Sequence, residues 1–277
     1  MNLPLRWMLK RPGPWIPVFF LCPCLVMAQS DGTATSVAAL GGTFLVRTGY
    51  AMARHNQAGL GHLTLNSFSI QHTRPFLLDE LGISSLSIQI PFSHGGAGTT
   101  LSHYGIRGLG YTSAWIASGI RVFEEWCMGV GLQFWNFSYP GQPFHHSGFS
   151  FAAGLSVEIS ELIQLGAHLS HPAGFFPGTP VHLSPPATLT IGGSWSLFST
   201  AVYYVEMEFQ SGQQIRLKHG LEWKAGEMLL VQMGMQSGPF TLSCGIGIEL
   251  RRWYLHSAFT YNPDTGSTPY MSLHHVW

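Results

Sequence analysis

The stretch Phe149-Ser150-Phe151-Ala152-Ala153-Gly154-Leu155-Ser156-Val157-Glu158-Ile159 decides the fold. Along an extended strand, successive side chains point to opposite faces. Phe149, Phe151, Ala153, Leu155, Val157 and Ile159 therefore make one apolar face, and Ser150, Ala152, Gly154, Ser156 and Glu158 make the other. The second face is small rather than charged. A soluble β-sandwich hides its apolar faces and shows polar ones to water, and a face of Gly, Ser and Ala is a poor solvated exterior. The reverse arrangement fits better, with the apolar face on lipid and the small face around a lumen.

The same period of two recurs on both sides. In 187–197, Leu189, Ile191, Trp195 and Leu197 oppose Thr188, Thr190, Gly192, Ser194 and Ser196. In 214–224, Ile215, Leu217, Leu221 and Trp223 oppose Gln214, Arg216, Lys218, Glu222 and Lys224. In 240–250, Phe240, Leu242, Cys244, Ile246, Ile248 and Leu250 oppose Thr241, Ser243, Gly245, Gly247 and Glu249. About 14 such segments follow one another, near 63–74, 83–93, 97–106, 109–122, 126–139, 147–159, 162–171, 187–197, 200–209, 214–224, 228–236, 239–250, 252–261 and 269–277. Linkers after even-numbered segments are tight, as at His94-Gly95-Gly96, Glu124-Glu125 and Arg251. Several linkers after odd-numbered segments are longer, as at 140–146 and 172–186. Short turns at one end, longer loops at the other and an even strand count describe an all-β transmembrane antiparallel barrel. Its domain spans 63–277.

Composition agrees. Charged residues are 9% of the 277, apolar residues 45% and aromatics 13%, with 33 glycines and a formal net charge of zero. A disordered chain would carry more charge and fewer aromatics. A nucleic-acid binder would carry a basic stripe. An ordinary soluble domain could hardly cover its surface with so few charges.

Residues 1–28 read as a cleaved signal peptide that addresses the barrel to the bacterial outer membrane. Arg6, Lys10 and Arg11 form a basic start, Trp15 to Met27 an apolar run broken by Pro17 and Pro23, and Val26-Met27-Ala28 the cleavage site. The run is shorter than the ~20 apolar residues of a spanning helix. Cys127 and Cys244, the cysteines of the remaining chain, fall on opposite faces and are expected to be free thiols.

With alternating strand directions, Trp126, Trp195, Tyr203, Trp223, Trp253 and Trp277 all fall at the short-turn end, taken as periplasmic. Tyr139, Phe209, Phe240 and Tyr261 fall at the other end. Two aromatic girdles of this kind mark the two membrane interfaces. The terminal strand, ending in Trp277, is similar to the signal read by barrel-assembly machinery. That machinery and membrane lipid are the expected partners.

About 14 tilted strands give a backbone radius near ~14 Å, too wide for Gly and Ser side chains to close. Residues 29–62 are the candidate filling, a hatch or plug. Val37, Leu40, Phe44, Leu45, Val46, Tyr50, Met52 and Leu60 are too many apolar residues for a solvated tail.

Within that segment, Asn56-Gln57-Ala58-Gly59-Leu60 resembles the Asn-Pro-Ala-Gly-Leu element near the N-terminus of the FadL-type transporter superfamily, which includes the PorV and PorQ proteins of type IX secretion. Ala38-Ala39-Leu40-Gly41-Gly42 resembles the alanine–glycine start of the same region. Gln57 departs from the family's proline. The resemblance implies a 14-stranded outer-membrane barrel with an N-terminal hatch. It also implies a non-enzymatic role, either passing a small hydrophobic solute or serving as an accessory that receives a secretion partner at loops 140–146 and 172–186.

Glu206, Glu208, Arg216, Lys218 and Glu222 share inward faces of adjacent strands and are expected to form a cross-strand ion-pair ladder that braces the wall and docks the hatch. The 14 histidines include His145-His146, His168, His171 and His274-His275, with no zinc-type spacing to cysteines. No metal, cofactor or nucleic-acid partner is expected. The alternatives are a purely structural barrel and an outer-membrane lipid hydrolase, for which His145-His146-Ser147 is the candidate stretch.

Overall fold

A computed structural model describes residues 33–49, 52–106, 109–138, 145–175 and 185–277. The signal peptide, Tyr50, Tyr139 and most of loops 140–146 and 172–186 lie outside the described residues. A short helix α1 (Thr35–Ala39) and a 3-10 helix (Gln57–His62) precede fourteen strands. The strands are β1 (Ser67–Thr73), β2 (Ile83–Phe92), β3 (Gly95–Ile106), β4 (Leu109–Arg121), β5 (Trp126–Ser138), β6 (His145–Ser160), β7 (Ile163–Phe175), β8 (Thr188–Phe198), β9 (Ala201–Gln210), β10 (Arg216–Ala225), β11 (Leu229–Gln236), β12 (Thr241–Leu250), β13 (Trp253–Asn262) and β14 (Gly266–Val276).

Each strand pairs antiparallel with its neighbours in sequence. β1 closes on β14 from Ser67↔Val276 to Thr73↔Tyr270, so the barrel has no edge. The first strand begins at Ser67 rather than near 63, because the Leu63 N–H still caps the 3-10 helix by donating to the Leu60 carbonyl.

The two faces of each strand differ as the alternation demands. Phe151 and Ile159 are exposed, while Ser150, Ala152 and Ser156 are buried. Cys244 is exposed and Cys127 buried, both as free thiols. Exposed Leu, Ile, Met, Phe and Trp run round the whole outer wall. A continuous apolar surface of this extent belongs in hydrocarbon rather than in water, so the barrel spans a membrane by its strands.

Two strand pairs depart from regular register, β8–β9 between Ser196 and Phe198 and β6–β7 at two places. Phe149 and Ser150 oppose Phe175 and Gly174, yet Ala152 opposes Ser170. His171, Pro172 and Ala173 are thus accommodated opposite Phe151 as a bulge, with His171 at a positive φ of 52°. Pro172 lacks the N–H a regular ladder would use. On its other side, the described β7–β8 pairing runs only as far as Ser170↔Thr188.

Candidate functional site

The inner wall meets residues 33–62 closely, and the small faces of the strands now have a reason. Asn56, Gln57, Ala58 and Leu60 are completely buried. A Cβ on Gly129 of β5 would collide with the Gln57 backbone, and one on Gly154 of β6 would collide with the Asn56 side chain. Across the barrel, a Cβ on Gly234 of β11 would run into Leu40 and Gly41. Only glycine lets these backbones approach so nearly. Gly41 itself holds φ at +68°, which turns the chain out of α1.

Asn56 organises the motif. Its Oδ1 accepts from the Ala58 N–H at 3.1 Å and starts the 3-10 helix. Its Nδ2 donates to the Leu45 carbonyl at 2.5 Å and to the Leu155 carbonyl of β6 at 3.3 Å. Gln57 donates back to the Ala53 and His55 carbonyls, and its Oε1 lies 3.2 Å from His168 Nε2. A side-chain amide can make these bonds where a proline could make none, which gives Gln57 a structural role of its own. His55 Nε2 accepts from the Ala34 N–H at 3.2 Å. Burial, then the charges of Arg54, His168, Lys218 and Arg47, hold the His55 imidazole well below its ordinary pKa of 6.5, so it is neutral.

The five ionisable residues of β9 and β10 divide into two groups. The register sets Arg216 opposite Glu208 and Lys218 opposite Glu206. Arg216 and Lys218 both bond Glu208, at 3.1 and 2.5 Å. Glu206 turns instead to the N-terminal segment, where Oε1 accepts from the Phe44 and Leu45 N–H groups at 2.6 and 2.7 Å. Two convergent backbone donors hold a carboxylate more firmly than one ammonium already shared with Glu208. Glu222 likewise takes Arg47 at 2.7 Å and Gln232 of β11 at 2.7 Å. The wall ladder is therefore Arg216–Glu208–Lys218, while Glu206 and Glu222 face the segment. Arg47 also lies over the Tyr204 ring, and Lys218 over that of Phe44.

Towards the long-loop end, the inner faces of β3, β4 and β5 change character. Tyr104, Tyr111, Trp115, Trp135 and Phe137 all point inward and are almost fully buried. Tyr104 opposes Tyr111, which opposes Phe137, and the last two rings lie 6.1 Å apart. Trp115 stands 5.9 Å from the His171 ring on the β7 bulge. A polar chain runs beneath: His171 Nδ1 lies 2.7 Å from Ser150 Oγ, Ser150 donates to Gln133, and Gln133 donates to the Tyr111 hydroxyl.

These aromatics are absent from the expected lumen of Gly, Ser, Thr and Ala. Their signal was parity. The face Cys127, Gly129, Gly131, Gln133 continues to Trp135 and Phe137.

At the short-turn end, Leu45, Val46 and Arg47 line a crevice with β6 and β7, with His62, Glu158 and Gln164 on its walls. This lining mixes apolar and charged side chains. Trp126, Trp195, Trp223, Trp253 and Trp277 are exposed at that same end, with half-buried Tyr203 opposite Trp195. Ser147 is exposed on the outer wall of β6, and alternation puts His146 on the other face. Among the described residues, no group of three or more His, Cys, Asp or Glu is placed to hold a metal ion.

No protein-family model and no curated protein matches the chain. Among solved structures, it is similar to the Ralstonia pickettii toluene transporter TbuX, with a TM-score of 0.67, 10% identity, and coverage of 89% of this chain and 99% of that one. It is similar to the P. putida toluene transporter TodX, with a TM-score of 0.66, 12% identity, and coverage of 89% and 99%. A Pseudomonas aeruginosa FadL homologue gives 0.61 at 11% identity, with coverage of 88% and 98%. What these proteins share with the chain is the FadL-type fold of a closed fourteen-stranded barrel.

Proposed function

We propose that this protein is a non-enzymatic outer-membrane channel for small apolar solutes of aromatic size, with residues 33–62 acting as the hatch. The carrying observation is the inward patch of Tyr104, Tyr111, Trp115, Trp135 and Phe137 at the long-loop end. A water-filled porin lumen is polar, and a buried aromatic wall offers stacking and edge-to-face contacts to an unsaturated ring. Two proteins of the same fold are named toluene transporters, which supports a solute of that class. The segment that packs between this patch and the short-turn end supplies the closure a non-leaking channel needs.

The test is direct. Toluene added to the detergent-purified barrel is expected to change tryptophan fluorescence saturably. Trp115→Ala is expected to weaken that binding roughly tenfold, the size of one lost aromatic pair and its buried area. Proteoliposomes should take up toluene faster than a charged solute of similar size. A linear, unsaturable response identical in the variant would end this reading.

A further inference from the structure

On the outer wall at the short-turn end, one row of side chains crosses four strands. Leu250 of β12 opposes Trp253 of β13, which opposes His275 of β14, which opposes Phe68 of β1. The rings pack together. His275 lies 4.3 Å from Trp253, 5.7 Å from Phe68 and 5.8 Å from Trp277, which stacks on it at 21°. The next row towards the middle of the wall is Leu255, Leu273 and Ile70, all exposed and purely apolar.

His275 is out of place on such a wall. Its imidazole faces outward among three aromatic rings, and among the described residues it has no hydrogen-bond partner in the chain. A polar group at a membrane surface is costly unless something satisfies it.

Directly beside it, Arg251 and Arg252 form the exposed β12–β13 turn. The Val276 N–H donates to the Arg252 carbonyl at 3.0 Å, which pins that turn against the end of β14. Among the described residues, neither arginine has a carboxylate partner. The other cations of the same rim are engaged: Arg121 lies 3.3 Å from His62, and Lys224 lies 3.7 Å from Glu249. Of the remaining turns of that rim, β4–β5, β6–β7 and β10–β11 carry exposed Glu124, Glu125, Glu161 and Glu227, and the other two carry no lysine or arginine. Positive charge without a protein partner is thus concentrated at this single point of the rim, above an aromatic shelf and an apolar wall.

We infer that this corner of the barrel binds an anionic phospholipid, with Arg251, Arg252 and His275 around the phosphate headgroup. Trp253, Trp277 and Phe68 take the glycerol level, and an acyl chain lies along Leu255, Leu273 and Ile70. Basic residues at a membrane surface attract anionic headgroups, and tryptophan favours the same depth. The site needs nothing from the solute pathway on the inner face, so it stands or falls independently of that reading.

The experiment uses the full mature barrel in nanodiscs of phosphatidylcholine containing one-tenth phosphatidylglycerol. Lipids that stay bound after release into detergent are counted by native mass spectrometry. Phosphatidylglycerol is expected to be retained about tenfold over its share of the bilayer. Arg251→Asn with Arg252→Gln should remove that preference, and His275→Phe, which keeps the ring packing, should lower it a few-fold. Arg121→Gln with Lys224→Gln should leave it intact. Heat-shifted gel mobility checks that each barrel is folded, and His275→Phe probes the site from a strand if the turn variant does not fold. Equal retention of the two lipids by the unmodified protein overturns the inference, as does full retention by the turn variant. A turn variant that keeps its lipid but inserts poorly in cells would also overturn it, in favour of a protein partner at this corner.

Discussion

The N-terminal segment meets the barrel wall in two places that work by different physics. On β4, β5 and β6, Asn56–Gly61 lies against glycines, backbone to backbone, with no charge in the contact. On β9, β10 and β11, Phe44–Arg47 is held by Glu206 and Glu222, next to the Arg216–Glu208–Lys218 group. The first contact is steric, with uncharged hydrogen bonds from Asn56 to the Leu155 carbonyl and between Gln57 and His168. It depends on shape and is indifferent to pH and salt. The second is electrostatic and conditional, because its strength follows protonation and local water. A segment fixed in both ways is expected to stay anchored on the glycine side while yielding on the charged side.

The largest effect is expected where the segment lies backbone to backbone on the wall. Gly129→Val puts a branched side chain where the Gln57 backbone now lies. Overpacking of this kind costs about 3 kcal/mol, the upper part of the usual range. That corresponds to roughly a hundredfold faster amide hydrogen exchange across 56–61. Valine suits a strand, so the thermal unfolding of the barrel should hardly change. Unaltered protection of 56–61 would mean that the glycine contact is not what seats the segment.

A middling effect is expected on the charged side. Glu206→Ala leaves the buried N–H groups of Phe44 and Leu45 without their acceptor, a loss of about 1–3 kcal/mol. Glu206→Gln keeps an acceptor oxygen and should cost less. The distinguishing measurement is again hydrogen exchange. Residues 44–47 should open on the order of tenfold more often, while 56–61 stays protected. If both stretches open together, the segment is one cooperative body and the contrast between its two contacts dissolves.

The sequence carried the wall far better than it carried these contacts. Period-two alternation survives along most of the wall because each residue must choose lipid or interior, so the fourteen strands and the opposite faces of Cys127 and Cys244 follow from counting. The bulge at His171-Pro172 had a signal too, since proline inside a strand marks broken pairing. The aromatic patch was harder to see. Phe134 points out and Trp135 points in, so both faces of β5 look apolar there, and only parity carried up from Gly129 separates them. The destination of Glu206 had no sequence signal at all. Its partners are two backbone N–H groups far away in the chain, and backbone donors leave no mark on composition. The five ionisable residues share a face because strand register is local. Which of them pair depends on a segment whose path is set only once the barrel is closed.

The smallest effect separates the two contacts by pH. His55 sits in the segment close to the charged side, where its Nε2 accepts from the Ala34 N–H. Only the neutral ring can accept there, because a protonated imidazole has two donors and no acceptor. Burial lowers its pKa first, and Arg54, His168, Lys218 and Arg47 lower it further. A lowered pKa in the seated state means that seating favours the neutral form. The stabilisation is therefore fully present above the ordinary value of 6.5 and is lost as pH falls below it towards the seated value. Hydrogen exchange compared at two pH values on either side of 6.5, after correction for intrinsic exchange rates, should find 34–47 loosened in acid by a few-fold. Residues 56–61 should be unmoved, and His55→Gln should abolish most of the difference. Equal acid loosening of both stretches would place the pH response in the barrel as a whole, and the charged contact would lose its claim to be the conditional one.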